Sequence, residues 1–138
     1  MKKLSMLLVT AVLFMGCSNS VAEQTTQPTQ TTETVREAYM NITQEEAKNL
    51  MDTQENYIIL DVRRQDEYAE KHIPGAILIP NEEIRERAEA ELTDKDQLIL
   101  VYCRSGNRSK QASEVLEELG YTYIREFGGI NTWPYETE

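Results

Sequence analysis

The chain has 138 residues, 40% hydrophobic, 28% charged and 7% aromatic, with Lys+Arg 14 against Asp+Glu 24 and a net charge of -10. That length fits one small globular domain plus appendages and excludes a multidomain enzyme or a polytopic membrane protein. The acidic balance argues against nucleic acid as a partner, since phosphate contacts need clustered Lys and Arg, and two cysteines are too few for a disulfide framework or a four-cysteine zinc site.

At the start of the chain, Lys2 and Lys3 precede an apolar run over residues 4–15, closed by Gly16-Cys17. The run is shorter than the about 20 residues a spanning helix needs. Residues 1–16 therefore read as an export signal. A small residue before a cysteine resembles the bacterial lipoprotein signal. That resemblance implies cleavage before Cys17, lipidation of Cys17, and a protein held on the cell membrane facing outside the cytoplasm. An ordinary secretory signal and an uncleaved anchor are the alternatives. Residues 18–34 are rich in Thr and Gln, with no aromatic residue and one proline, Pro28. They cannot bury enough apolar surface to fold. Residues 17–38 are thus expected to be the lipidated cysteine and a flexible tether, the Thr/Gln-rich part reaching about 25 Å. The domain occupies residues 39–138.

Within the domain, residues 39–42 read as a short strand. Thr43-Gln44-Glu45-Glu46 is a capping box that opens a helix to about Met51. Residues 57–62 are a buried strand by their apolar, β-branched run. Residues 66–70 make one or two helical turns. Pro74-Gly75 is a turn, and residues 76–79 are a second buried strand. Asn81 is expected to cap a helix through about Glu91. Residues 98–102 are a third buried strand, 103–107 a loop, and 108–119 a helix stopped by Gly120. Residues 121–125 are the last strand, and Gly128-Gly129 opens a turn towards Trp133. Strands alternate with helices and are mostly apolar throughout. The fold class is α/β, a mainly parallel sheet of about five strands with helices on both faces. Ligands in such sheets sit at the C-terminal strand ends, where the loop at Cys103 lies.

Three features coincide in Cys103-Arg104-Ser105-Gly106-Asn107-Arg108-Ser109. A helix N-terminus offers free N–H groups and partial positive charge. Gly106 permits the tight turn that aims them inward. Arg104 and Arg108 add formal charge. Each stabilises a thiolate, so Cys103 is expected to be a nucleophile with a depressed pKa. Residues 97–113 hold no Asp or Glu in a chain with 24 acids, a local reversal that suits a small anionic substrate. Arg108, which opens the helix, is expected to serve structure or anion binding.

Tyr68, three residues, His72-Ile73-Pro74-Gly75-Ala76, two residues and Ile79 resemble the N-terminal signature of the rhodanese family. Leu60-Asp61-Val62-Arg63 resembles its Asp-Val-Arg strand end. The Cys103–Ser109 segment resembles its active-site loop, and Gly128-Gly129 with Trp133 its closing motif. The four occur in family order. The resemblance implies a rhodanese-like three-layer sandwich and a sulfurtransferase with Cys103 as catalytic residue. A small anionic sulfur donor such as thiosulfate would pass sulfur through a Cys103 persulfide to cyanide or a thiol, with no metal or organic cofactor. The second reading is a sulfur-carrier or partner-binding module with little turnover. A cysteine phosphatase or arsenate reductase is the third. Those phosphatases use Cys-x5-Arg, whereas Cys103 to Arg108 is Cys-x4-Arg, and Tyr102 stands where they usually carry His.

His72, the one histidine, sits before a turn and is expected to serve structure, since a preformed thiolate needs no base. Asp61 and Arg63 are expected to form an ion pair that braces the site edge.

Overall fold

The capping box at Thr43 forms as its spacing predicts: the Glu46 N–H donates to Thr43 Oγ1 at 3.1 Å, and the Thr43 N–H to Glu46 Oε2 at 2.8 Å. The computed structural model describes residues 37–138; the leader, Cys17 and the tether up to residue 36 lie outside the described residues. Helix α1 (Gln44–Thr53) follows strand β1 (Tyr39–Asn41). Then come β2 (Tyr57–Asp61), α2 (Gln65–Glu70), β3 (Ile77–Leu78), α3 (Ile84–Glu91), β4 (Leu98–Cys103), α4 (Asn107–Glu118) and β5 (Ile124–Gly129).

The sheet order is β1-β5-β4-β2-β3, and every pairing is parallel. The chain steps from β2 outward to β3, but from β4 the other way to β5. The strand order therefore reverses between β2 and β4, the crevice where open parallel sheets bind ligands. Cys103 ends β4 at that reversal.

Alternation along β4 explains the layers. Ile99, Val101 and Cys103 pack on one face with Ile84, Ala88 and Leu92 around α3 and with Ala112 and Leu116 of α4. Leu98, Leu100 and Tyr102 pack on the other with Ala47 of α1, Phe127 and Trp133. All six β4 residues are buried, as the centre of a sheet covered on both faces requires. The result is the three-layer α/β sandwich the sequence implies.

Three boundaries differ from the sequence reading. The strand over 76–79 is not buried throughout: Ala76 and Ile79 are, but the paired residues are the exposed Ile77 and the half-buried Leu78, because β3 is an edge. Asn81 does not cap α3. It begins a 3₁₀ turn, and its amide donates to Gln111 Oε1 at 3.0 Å. The last strand lies at Ile124–Gly129, not 121–125. Tyr121 is buried ahead of it, donating its hydroxyl to the Leu92 carbonyl at 2.7 Å. The Gly-Gly pair ends the strand instead of opening a turn.

Candidate active site at the end of β4

Val101 aligns with Glu126 but Cys103 aligns with Gly129, so two steps along β4 span three along β5. This bulge, with Gly128 at φ +88°, carries β5 past the Cys103 loop. A Cβ on Gly129 would lie 2.1 Å from the Arg104 carbonyl oxygen, so only glycine fits where β5 meets the loop. Gly106 takes φ +110° as the N-cap of α4, the left-handed geometry that turns its N–H inward.

That N–H donates to Cys103 Sγ at 3.0 Å, and Ser109 Oγ lies 3.4 Å from the same sulfur. Burial on its own pushes the Cys103 thiol up. The Ser109 hydroxyl and the backbone N–H groups of Ser109, Gly106 and Ser105 outweigh it and hold the thiol below its ordinary value. The depressed thiol therefore rests on oriented hydrogen bonds more than on the two arginines.

The loop residues separate by role. Cys103, Gly106 and Ser109 are buried, while Arg104, Ser105 and Asn107 are exposed. The Arg104 side chain makes no hydrogen bond or ion pair among the described residues. It lines a cleft of about 420 Å³ whose other charged residues are of both signs, Arg63, Arg64 and Lys71 with Asp66, Glu67 and Glu70; Cys103 is not among the residues lining it. Arg108 is not free for an anion. Its guanidinium donates twice to Glu67, at 2.7 and 2.9 Å, tying α2 to the start of α4. Arg108 and the N–H of Arg64 draw the Glu67 carboxyl down to about 2.

The acid-free stretch of sequence is not acid-free in space. Glu67 reaches Arg108 from α2, and Glu126 reaches Ser109 from β5 at 2.6 Å. Sequence reasoning missed both. A glutamate two positions before Gly128-Gly129 in an apolar strand was the available signal for the second.

Asp61 and Arg63 do pair, both buried: the guanidinium donates to Asp61 Oδ2 at 2.7 Å and to the Lys71 carbonyl at 2.7 Å. The Tyr102 hydroxyl donates to Asp61 Oδ2 at 2.6 Å and accepts the Ile73 N–H at 3.1 Å. Burial and the neighbouring Asp61 push the Tyr102 phenol up, so it stays a donor. The His72 ring stacks on Tyr68 at 3.9 Å, and its backbone exchanges two 2.8 Å hydrogen bonds with Glu138. These residues brace the segment before β3 and make no contact with Sγ. Among the described residues, no cluster of three His, Cys, Asp or Glu is arranged to hold a metal.

Residues 43–135 match the Rhodanese-like domain family. The thiosulfate sulfurtransferase PspE of Escherichia coli is 42% identical over 71 residues, 51% of this chain and 68% of that protein. The putative sulfur carrier protein YrkF of Bacillus subtilis is 37% identical over 98 residues, 70% of this chain but only 52% of its own length. A structure of rhodanese with anions from E. coli superposes with a TM-score of 0.56 at 36% identity, covering 59% of this chain and 96% of that one. The rhodanese-like domain of an Anabaena protein gives a TM-score of 0.65 at 29% identity, over 74% and 79%.

Proposed function

The chain belongs to the rhodanese-like family, and from that premise we propose that it is a thiosulfate-type sulfurtransferase working through Cys103. The observation that carries this reading is the set of loop N–H groups focused on Sγ, which favours a thiolate at neutral pH. The Cys103 thiolate attacks the outer sulfur of thiosulfate. An S–S bond forms, the donor's own S–S bond breaks, and sulfite leaves with the electron pair. The persulfide then loses its outer sulfur to cyanide or a thiol, which restores the thiolate. Arg104, exposed and next to Cys103 in the loop, is suited to meeting the anionic donor.

Thiocyanate formation from thiosulfate and cyanide by the full chain tests this. Cys103→Ser should lose at least about a thousandfold in rate while keeping its circular dichroism. Retained transfer in a folded Cys103→Ser protein would sink the mechanism.

A carrier role is the second reading. One relative is named a putative sulfur carrier protein, and the same thiol that forms a persulfide could hold it for a partner. Persulfide formation without thiocyanate turnover would select it. Phosphoryl transfer is disfavoured because Arg108, the residue that would clamp a phosphate, is held by Glu67.

We also propose that Cys17 is lipidated, placing the domain on the cell membrane outside the cytoplasm. Cys17→Ala should abolish incorporation of labelled fatty acid and release the protein from membranes; unchanged incorporation would refute it.

A further inference from the structure

Glu126 is fully buried, and among the described residues no cation pairs with it. Burying an ionised carboxylate without a counter-charge is expensive unless hydrogen bonds replace the lost water. Glu126 has three such partners. The Gly128 N–H donates to Oε1 at 2.8 Å, the Asn41 amide donates to Oε2, and Ser109 Oγ lies 2.6 Å from Oε1. The same Ser109 oxygen is 3.4 Å from Cys103 Sγ. A hydroxyl carries one proton, so it cannot donate to the sulfur and to an ionised carboxylate together. Thiolate and carboxylate would then be two buried negative charges joined through one hydroxyl. A single proton shared between them removes that conflict.

We propose that Glu126 holds the proton that Cys103 gives up, received through the Ser109 hydroxyl, and so acts as a positioning residue for the sulfur nucleophile. The S–H bond breaks as Ser109 Oγ gains that proton, and the original Ser109 proton bonds to Glu126 Oε1. A thiol and a carboxylate become a thiolate and a carboxylic acid. The buried unit keeps one negative charge, and no outside base is required. The protonated carboxyl then donates to Ser109, which releases the Ser109 proton from Glu126 to be shared between the sulfur at 3.4 Å and the Gly106 carbonyl at 2.9 Å.

Other charges face this unit. Arg108, from α4, acts on Cys103. The Tyr39 phenol, from β1, lies within reach of Glu126 and of Glu114 and Glu117 on α4. Arg125 and the α1 acids beside it, Glu45 and Glu46, line a cleft to which β5 alternation assigns the opposite sheet face. None of these touches Ser109, so the exchange belongs to the three residues.

The role presumes the sulfur chemistry proposed above, but its test reads protons and not turnover, so the two can fail separately. The full chain carrying Cys17→Ser leaves Cys103 as its one thiol. Its thiolate ultraviolet absorbance and the carboxyl carbon-13 shift of Glu126 are followed together from about pH 4 to pH 10. Two coupled groups share their midpoints. The expected result is that both signals show the same two steps, about one pH unit or more apart. Glu126→Gln should reduce the thiolate curve to a single step, and Glu126→Asp should restore two. Should Glu126→Gln fail to fold, Cys103→Ser serves instead, where the Glu126 signal must fall to one step. A thiolate curve with one step in the parent protein, at a midpoint the Glu126 carbon does not share, would overturn the proposal.

Discussion

Two carboxylates are buried at the C-terminal end of the sheet, and they are treated in opposite ways. Asp61 closes β2 with a guanidinium wrapped on it: Arg63 donates from Nε and Nη2, and Tyr102 adds a phenol. Glu126, on β5, has among the described residues neutral donors and a hydroxyl that leads to a thiol. Both are 0% exposed, so burial does not distinguish them. The partner does. A carboxylate wrapped by a cation is held as part of the frame. The one satisfied by neutral groups is the one beside the nucleophile, where the proton exchange proposed above would take place.

Arg63→Ala breaks the contrast most severely, because it strands Asp61 as a buried charge. A loss of about 3–5 kcal/mol in urea unfolding is expected. A loss under 1 kcal/mol would mean water enters to replace the guanidinium. Gly129→Ala attacks the other side by driving a methyl into the Arg104 carbonyl. It should cost about 1–3 kcal/mol and raise the thiol midpoint of Cys103 by displacing the loop donors. Proteolysis and thiol titration read the two effects.

Glu67 is an intermediate case, paired and partly buried, its side chain 16% exposed. Its carboxyl is drawn down to about 2, below its unfolded value. The stability it contributes is therefore complete above about pH 4.5 and fades as pH falls towards 2. Glu67→Gln should cost about 1–2 kcal/mol at pH 7, allowing for solvent screening, and almost nothing near pH 2. Denaturant midpoints across that range would show the two proteins converging. Glu126→Gln, by contrast, should cost less than about 1 kcal/mol, since an amide keeps the Gly128 contact and the exposed Asn41 amide can turn to suit it. Smallest of all, Arg104→Ala should leave stability within about 0.5 kcal/mol while lowering kcat/KM for thiosulfate. An unchanged kcat/KM would remove Arg104 from the donor's path.

Sequence alone carried most of the frame, for local reasons. The capping box at Thr43, the apolar runs of β2 and β4, and the glycine-bearing loop after Cys103 each depend on residues near one another in the chain. What escaped depends on distant contacts. The last strand read as 121–125, short of its true end, because the buried place of Glu126 depends on Ser109, 17 residues away. Arg108 read as serving either structure or an anion, and the choice could not be made because Glu67, 41 residues earlier, carries no mark of its partner. Asn81 read as a cap because its spacing fits, but its amide is spent on Gln111, 30 residues on.

The strand order has a consequence for how the domain is made. Among the described residues no two strands of this sheet form a hairpin, and β1 pairs with β5, Tyr39 lying beside Ile124. All strand pairing must therefore close long loops, which is slow. A chain emerging N-terminus first, from a ribosome or through a membrane, holds residues 39–41 without their neighbour until residues 124–126 have followed. The sheet cannot be completed in parts, and a pause before that point leaves β4 with a bare flank.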